Sequence, residues 1–454
     1  MGSEDDIDRL LGDPKAAIRR MMVPFLIAIA VVEINQFVDT FWVSGLGSRS
    51  AEALAVVVPI YGLIMWTGVG LSAGSTATIA YRIGKGNLDI AGRLVASSLV
   101  IGLIVSVIVS AGVYVLLDPL ISFMGAEDVH DEAVQYMMPY LFLSPALLLV
   151  SIVGGTLRGE GAARKATAVQ ISCALINIVL DPIMIYTLGL GLFGAALATA
   201  VASAIATMIG LIWYFRGRTA VRLDAGCFTD LKRSMKEMLG VGGPKTIQFA
   251  ISNITDYIQR IFIIMAGGTS AVMLYNFPWR YVSVAMLPSR SLEMSTLPVC
   301  SASFGQNDMA KMRAGFLYSV KIALIASIAI AAFLMLFSEQ LMSIMAYEET
   351  MKPFLPKLAW TLRFAVIMLP FIALMGAGSS LLQSMKKAKI PMYYTMVWGV
   401  VKLALYALAA TGLLGVDPFD GIIYMMVFVY SLGGVVLFSL AVWEFRKISR
   451  YCPE

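Results

Sequence analysis

Charged side chains are scarce in this chain. Asp, Glu, Lys and Arg make up 14% of its 454 residues, against roughly 25% in a soluble domain. That deficit excludes an ordinary water-soluble fold. Histidine is rarer still: His130 is the only one, so catalytic triads and histidine proton relays have nothing to build on. It lies in an acidic loop and reads as a solvated side chain. The four cysteines, Cys173, Cys227, Cys300 and Cys452, stand far apart, which excludes a paired metal site and a disulfide framework. Short alternating segments of about ten residues, the mark of a membrane barrel, are missing too. Gly45 and Gly47 fit a helix end or turn and form no phosphate loop. The first 22 residues hold Glu4, Asp5, Asp6, Asp8 and Asp13. They lack the basic start and short apolar core of a signal peptide, so the first hydrophobic segment is expected to stay as a helix.

What the chain has in abundance is apolar surface. Hydrophobic residues reach 59% and the mean hydropathy is +0.81. Uncharged runs such as Leu99 to Leu117, Leu192 to Phe215 and Ile322 to Phe337 approach the ~20 residues that cross a bilayer as a helix. The sequence therefore predicts an all-α polytopic membrane protein with twelve transmembrane helices. Their expected spans are 20–46, 52–80, 94–117, 131–155, 166–187, 191–215, 237–266, 270–302, 314–337, 354–382, 390–414 and 419–445.

Loop charges alternate in step with those spans. Arg82, Lys85 and Arg93 are followed by Arg158, Arg164 and Lys165, then by the stretch from Arg216 to Lys236. Lys311 and Arg313, then Lys386, Lys387 and Lys389, then Arg446, Lys447 and Arg450 continue the series. The intervening loops are acidic, with Glu127, Asp128, Asp131, Glu132, Glu348, Glu349, Asp417 and Asp420, although Arg49, Lys352 and Lys357 are exceptions. The positive-inside rule then puts both termini in the cytoplasm.

The stretch 216–236 also divides the chain into similar halves. Pro24 and Pro244, Pro59 and Pro278, Gly84 and Gly305, and Pro145 and Pro370 recur in order at offsets of 219–225 residues. Thirteen residues after the last pair come Arg158 and Gln383. Two six-helix bundles follow, in a parallel repeat of the kind found in transporters. The domains read as a cytoplasmic segment 1–19, a lobe 20–215, a linker 216–236, a lobe 237–445 and a tail 446–454. Matched prolines favour kinks or hinges.

Ionisable groups at bilayer depth are costly and suggest function. Asp39 lies in the outer part of the first helix, with Asn35 and Gln36 on its face and Glu33 earlier. Asn177 and Asp181 are one turn apart on the fifth helix, and Thr199 is on the sixth. Two carboxylates with amide and hydroxyl oxygens suit a sodium ion, and the same pair suits protons. In the second half Asp256, Gln259 and Arg260, then Arg280, Arg290 and Glu293, read either as a network neutralising itself or as a polar cleft for an anionic or zwitterionic substrate. The 28 methionines suit apolar packing. No catalytic set supports an enzyme, and no filter-like loop supports a channel.

The segments "LLGDPKAAI…MMVP", "VDTFWVSGLG", "LRGEGAARKA", "INIVLDP" and "ASFGQND" resemble those of multidrug and toxic compound extrusion (MATE) transporters. The likeness is to the prokaryotic branch with DNA-damage-inducible and archaeal members, and covers essentially the whole chain. It implies a cation site at Asp39, Asn177, Asp181 and Thr199. It also implies an antiporter in a prokaryotic inner membrane, exporting amphipathic cationic drugs or metabolites against inward H+ or Na+, with the two lobes alternating access. No cofactor is expected beyond the coupling ion. The expected partners are a small-molecule substrate and the lipid bilayer, with no nucleic acid and no second subunit. Asp256 is a candidate analogue of the helix 7 acid of other branches. Alternatives are a lipid or lipid-linked sugar flippase of the same superfamily and an exporter of anionic or zwitterionic metabolites, for which Arg260, Arg280 and Arg290 are the relevant residues.

Overall fold

The computed structural model describes residues 4–123, 126–346, 349–413 and 415–451, all helix and connection without a strand. Cys452 and Glu348 lie outside these residues. A short helix α1 (Glu4–Leu11) precedes α2 (Pro14–Ser44). The latter starts earlier than hydropathy suggests, because Asp13 accepts from the Lys15 and Ala16 amides and Pro14 occupies the first turn. An Asp N-cap with proline at the first helical position starts a helix whatever the polarity beyond it. Next come α3 (Ser48–Gly84), α4 (Leu88–Phe123), α5 (His130–Phe142), α6 (Ser144–Gly159), α7 (Ala163–Pro182) and α8 (Gly191–Phe215). The second half has α9 (Leu231–Ala285), α10 (Leu287–Gly305), α11 (Met309–Leu336), α12 (Ser338–Met345), α13 (Leu355–Ala365), α14 (Leu369–Ser384), α15 (Lys389–Ala410) and α16 (Pro418–Tyr451).

Among the described residues, twelve spans emerge once the break in α9 and the bend in helix 4 are resolved. The 55 residues of α9 contain a break at Gly267 and Gly268, the latter with φ 64°, so α9 holds all of helix 7 and the start of helix 8. Unbroken, it would run ~80 Å, far longer than a bilayer is thick. Helix 4 is bent by 55° between α5 and α6, and helix 10 is interrupted by the 3-10 turn Val366–Met368 before α14. Both breaks sit directly before the repeat-matched Pro145 and Pro370, which occupy the first turns of α6 and α14. Proline lacks the amide hydrogen and disfavours helix in the residue before it, so a chain interrupted there resumes its helix with proline in the first turn. Turn geometry repeats as well: Gly86 and Asn307, then Gly161 and Lys386, all have left-handed φ between 60° and 79°.

Contacts group the chain into two compact units, Met1–Ala250 with Ser301–Asn307, and Ile251–Cys300 with Asp308–Glu454. The first buries Val57, Ile60, Ile64, Leu117, Ile121, Met137, Leu147 and Leu148. The second buries Leu358, Leu362, Val366, Met368, Ile422 and Met426. Large apolar side chains such as Val115, Phe142 and Val400 face outward instead, as expected where the solvent is hydrocarbon. His130 is half-exposed, with ring nitrogens 3.1 Å from Asp118 and 3.3 Å from Asp131. Glu160, just beyond α6, is fully buried: Tyr214 Oη donates to Oε1 at 2.6 Å, and the Ala220 amide donates to Oε2 at 2.9 Å. It pins the connection after α8.

Candidate cation site

The polar residues of the first unit converge where α2, α7 and α8 pack together. Asn35 Nδ2 donates to Asn177 Oδ1 at 2.8 Å and to Asp39 Oδ2 at 3.3 Å. Asn177 Nδ2 donates to Asp181 Oδ1 at 2.7 Å and to Thr199 Oγ1 at 3.4 Å. The carboxyls of Asp39 and Asp181 come within hydrogen-bonding reach of each other. Asn177 and Asp181 are each 1% exposed, whereas Asn35, Asp39 and Thr199 are half-buried. Three buried oxygens face no partner: Asn35 Oδ1, Asp39 Oδ1 and Asp181 Oδ2. Two carboxyls so close repel when both are ionised, and orphaned acceptors are costly at low dielectric. The cluster therefore has a standing demand for positive charge and for hydrogen-bond donors. A proton meets both, and an oxygen-seeking cation supplies the charge and coordinates the same oxygens in place of donors.

Local backbone explains how Asp181 is held. It is followed by Pro182, and the chain passes through a π-turn at Ile183–Thr187. The proline removes one amide and shifts the hydrogen-bond register. Tyr186 is thereby aimed at α2, where its hydroxyl donates to the Trp42 carbonyl at 2.6 Å. Gly45 gives it room, since a Cβ there would collide with the Tyr186 hydroxyl.

An aromatic wall that sequence position alone does not reveal stands beside the cluster. Tyr61 and Tyr140 have ring centres 4.4 Å apart, and Tyr140 Oη donates to Tyr136 Oη at 3.1 Å. The i,i+4 spacing of Tyr136 and Tyr140 on α5 was the available signal. Glu33 is partly exposed earlier on α2, and Gln36 is exposed.

In the second unit Asp256 does not take its i+4 neighbour Arg260 as its ion-pair partner. It pairs with Lys402 on α15 at 2.6 Å, a lysine hidden from sequence inspection inside an apolar run. Arg260, Arg280 and Arg290 are exposed, and Glu293 is half-buried beside Gly376. Gln259 is buried and donates to Tyr275 Oη at 3.0 Å.

The family model described as MatE matches residues 24–183 and, separately, 244–408. The chain belongs to the MatE family. The doubled match follows the internal repeat. This MATE chain is 24% identical over 357 residues to the FAD transporter of Shewanella oneidensis, covering 77% of each protein. It is 25% identical over 300 residues to the multidrug export protein MepA of Staphylococcus haemolyticus, covering 64% of this chain and 65% of that one. Among solved structures it superimposes with a TM-score of 0.91 on a MOP superfamily transporter from Pyrococcus furiosus, at 27% identity over 98% of this chain and 99% of that one. A multidrug resistance MATE transporter in an outward-facing conformation gives 0.92 at 27% identity, over 98% and 99%. The twelve-helix, two-bundle fold is that of the family, and the protein is a multi-pass membrane transporter and not an enzyme.

Proposed function

We propose that this MATE transporter exports amphipathic organic cations in exchange for inward H+ or Na+ bound at Asp39, Asn35, Asn177, Asp181 and Thr199. The observation behind it is the trio of unpartnered oxygens on Asn35, Asp39 and Asp181 in one half-buried cluster. Neutralising that cluster lets α2 repack against α7, so cation and substrate bias one two-state equilibrium in opposite directions. The positive loops orient both termini to the cytoplasm of a prokaryotic plasma membrane. The MepA relatives, named for multidrug export, support the substrate class.

A second reading has its own support. The Shewanella relative is named for FAD, an anionic dinucleotide, and exposed Arg260 and Arg280 suit an anionic metabolite.

The test uses proteoliposomes loaded with ethidium. A proton gradient without sodium, then a sodium gradient without a pH difference, is imposed on wild type and Asp39→Asn. Movement under one gradient that is lost in the variant supports antiport and names the ion. Movement that survives Asp39→Asn combined with Asp181→Asn refutes the site. Flavin dinucleotide uptake in the absence of ethidium movement selects the second reading.

A further inference from the structure

Where α9, α15 and α16 meet, the second unit encloses a positive charge of its own. Lys402 is 6% exposed. Its Nζ donates to Asp256 Oδ1 at 2.6 Å and to Tyr430 Oη at 3.3 Å, and lies 5.2 Å and 5.8 Å from the ring centres of Tyr430 and Tyr406. A carboxylate, a phenol oxygen and two aromatic faces are the materials of an ammonium site. The enclosure holds more oxygen than the lysine uses: Tyr406 Oη and Gln259 Oε1 are both buried without a partner, although Gln259 Nε2 is held by Tyr275.

The asymmetry of burial shows which partner the pair serves. The Asp256 side chain is 59% exposed, so its carboxylate sits at the rim of the enclosure and not at its centre. The ammonium is the buried member, and burying a charge is costly unless it is paired and hydrogen-bonded. The enclosure is organised around the cation.

We propose that this is a monovalent-cation site whose cation is covalently built in. The Lys402 ammonium fills the place that a free ammonium-type ion would take, so the second unit holds a fixed charge and exchanges none. The consequence for transport rests on the reading that Asp39 and Asp181 exchange the coupling ion: coupling then passes through the first unit alone.

The experiment measures thermal unfolding of the full chain in nanodiscs, with Asp39→Asn and Asp181→Asn present to silence the first site. Methylammonium chloride is titrated against choline chloride at constant ionic strength. Lys402→Ala vacates the enclosure, and its unfolding midpoint is expected to rise with methylammonium in the logarithmic manner of a ligand that binds only the folded state. The chain retaining Lys402, the filled variant Lys402→Met, and Lys402→Ala with Asp256→Asn are expected not to respond. Folding of Lys402→Ala only in the presence of methylammonium is the same result in stronger form. The proposal is overturned if Lys402→Ala does not respond, or responds equally with Asp256→Asn added. It is also overturned if Lys402→Ala fails to fold under every condition while Lys402→Met folds. No transported substrate enters this assay, so its failure and failure of the export reading are separately visible.

Discussion

Gly84 and Gly305 occupy matching positions in the two repeats, and they pack against one another. A Cβ on Gly305 would lie 3.2 Å from the Gly84 Cα and would collide with the Tyr81 carbonyl oxygen; a Cβ on Gly84 would collide with that of Ala302. Close by, Arg82 clasps Glu237 through two bonds of 3.0 Å and 2.7 Å. Further along α3, Gly74 lies against the Gly242 backbone.

Gly84→Ala or Gly305→Ala is expected to lower stability by about 1–3 kcal/mol, the usual cost of forcing a methyl group into close-packed surroundings. Thermal unfolding in detergent checks this. A midpoint equal to wild type in both variants would mean that the backbones do not meet this closely.

Asn177 makes three of the bonds that organise the polar cluster proposed to hold the coupling ion. Hydrogen bonds to charged groups contribute roughly 1.5–3 kcal/mol, so Asn177→Ala is expected to raise the half-saturating coupling-ion concentration at least ~10-fold. Thr199→Val, which removes one longer contact, is expected to do less. Ion titration of gradient-driven ethidium movement ranks the two, and the reverse order counts against this geometry.

Glu160 predicts a pH dependence of stability. Burial pushes its carboxyl from 4.5 up to about 7, against the lowering effect of its bonds from Tyr214, Val221 and Ala220 and of the nearby Lys165 charge. Between those two pH values the folded chain holds a proton that the unfolded chain has released. Stability therefore falls as pH rises through that interval, by about 3 kcal/mol in all. Glu160→Gln is expected to flatten that part of the profile. Unfolding midpoints across the interval, compared between wild type and variant, check it; equal slopes would show that Glu160 is ionised throughout.

Composition and order along the chain determined the membrane class, the helix count and the duplication. Those properties are one-dimensional: a span needs only enough apolar residues in a row, and a repeat needs only its landmarks in order. Of the matched prolines, Pro145 and Pro370 fall at the breaks in helices 4 and 10, whereas Pro24 and Pro59 lie inside unbroken helices. Asp39, Asn177, Asp181 and Thr199 were legible as a candidate site, since a buried acid in an apolar run is expensive enough to need a reason. Partner choice was not legible. Asp256 reads as the neighbour of Arg260, yet its ion pair reaches 146 positions to Lys402. Helical spacing limits which side chains share a face, and only packing decides which faces meet. The tyrosines beside the Asp39–Asp181 cluster, the anchoring of Glu160, and the contact of Gly84 with Gly305 likewise depend on distances between elements that sequence spacing does not encode.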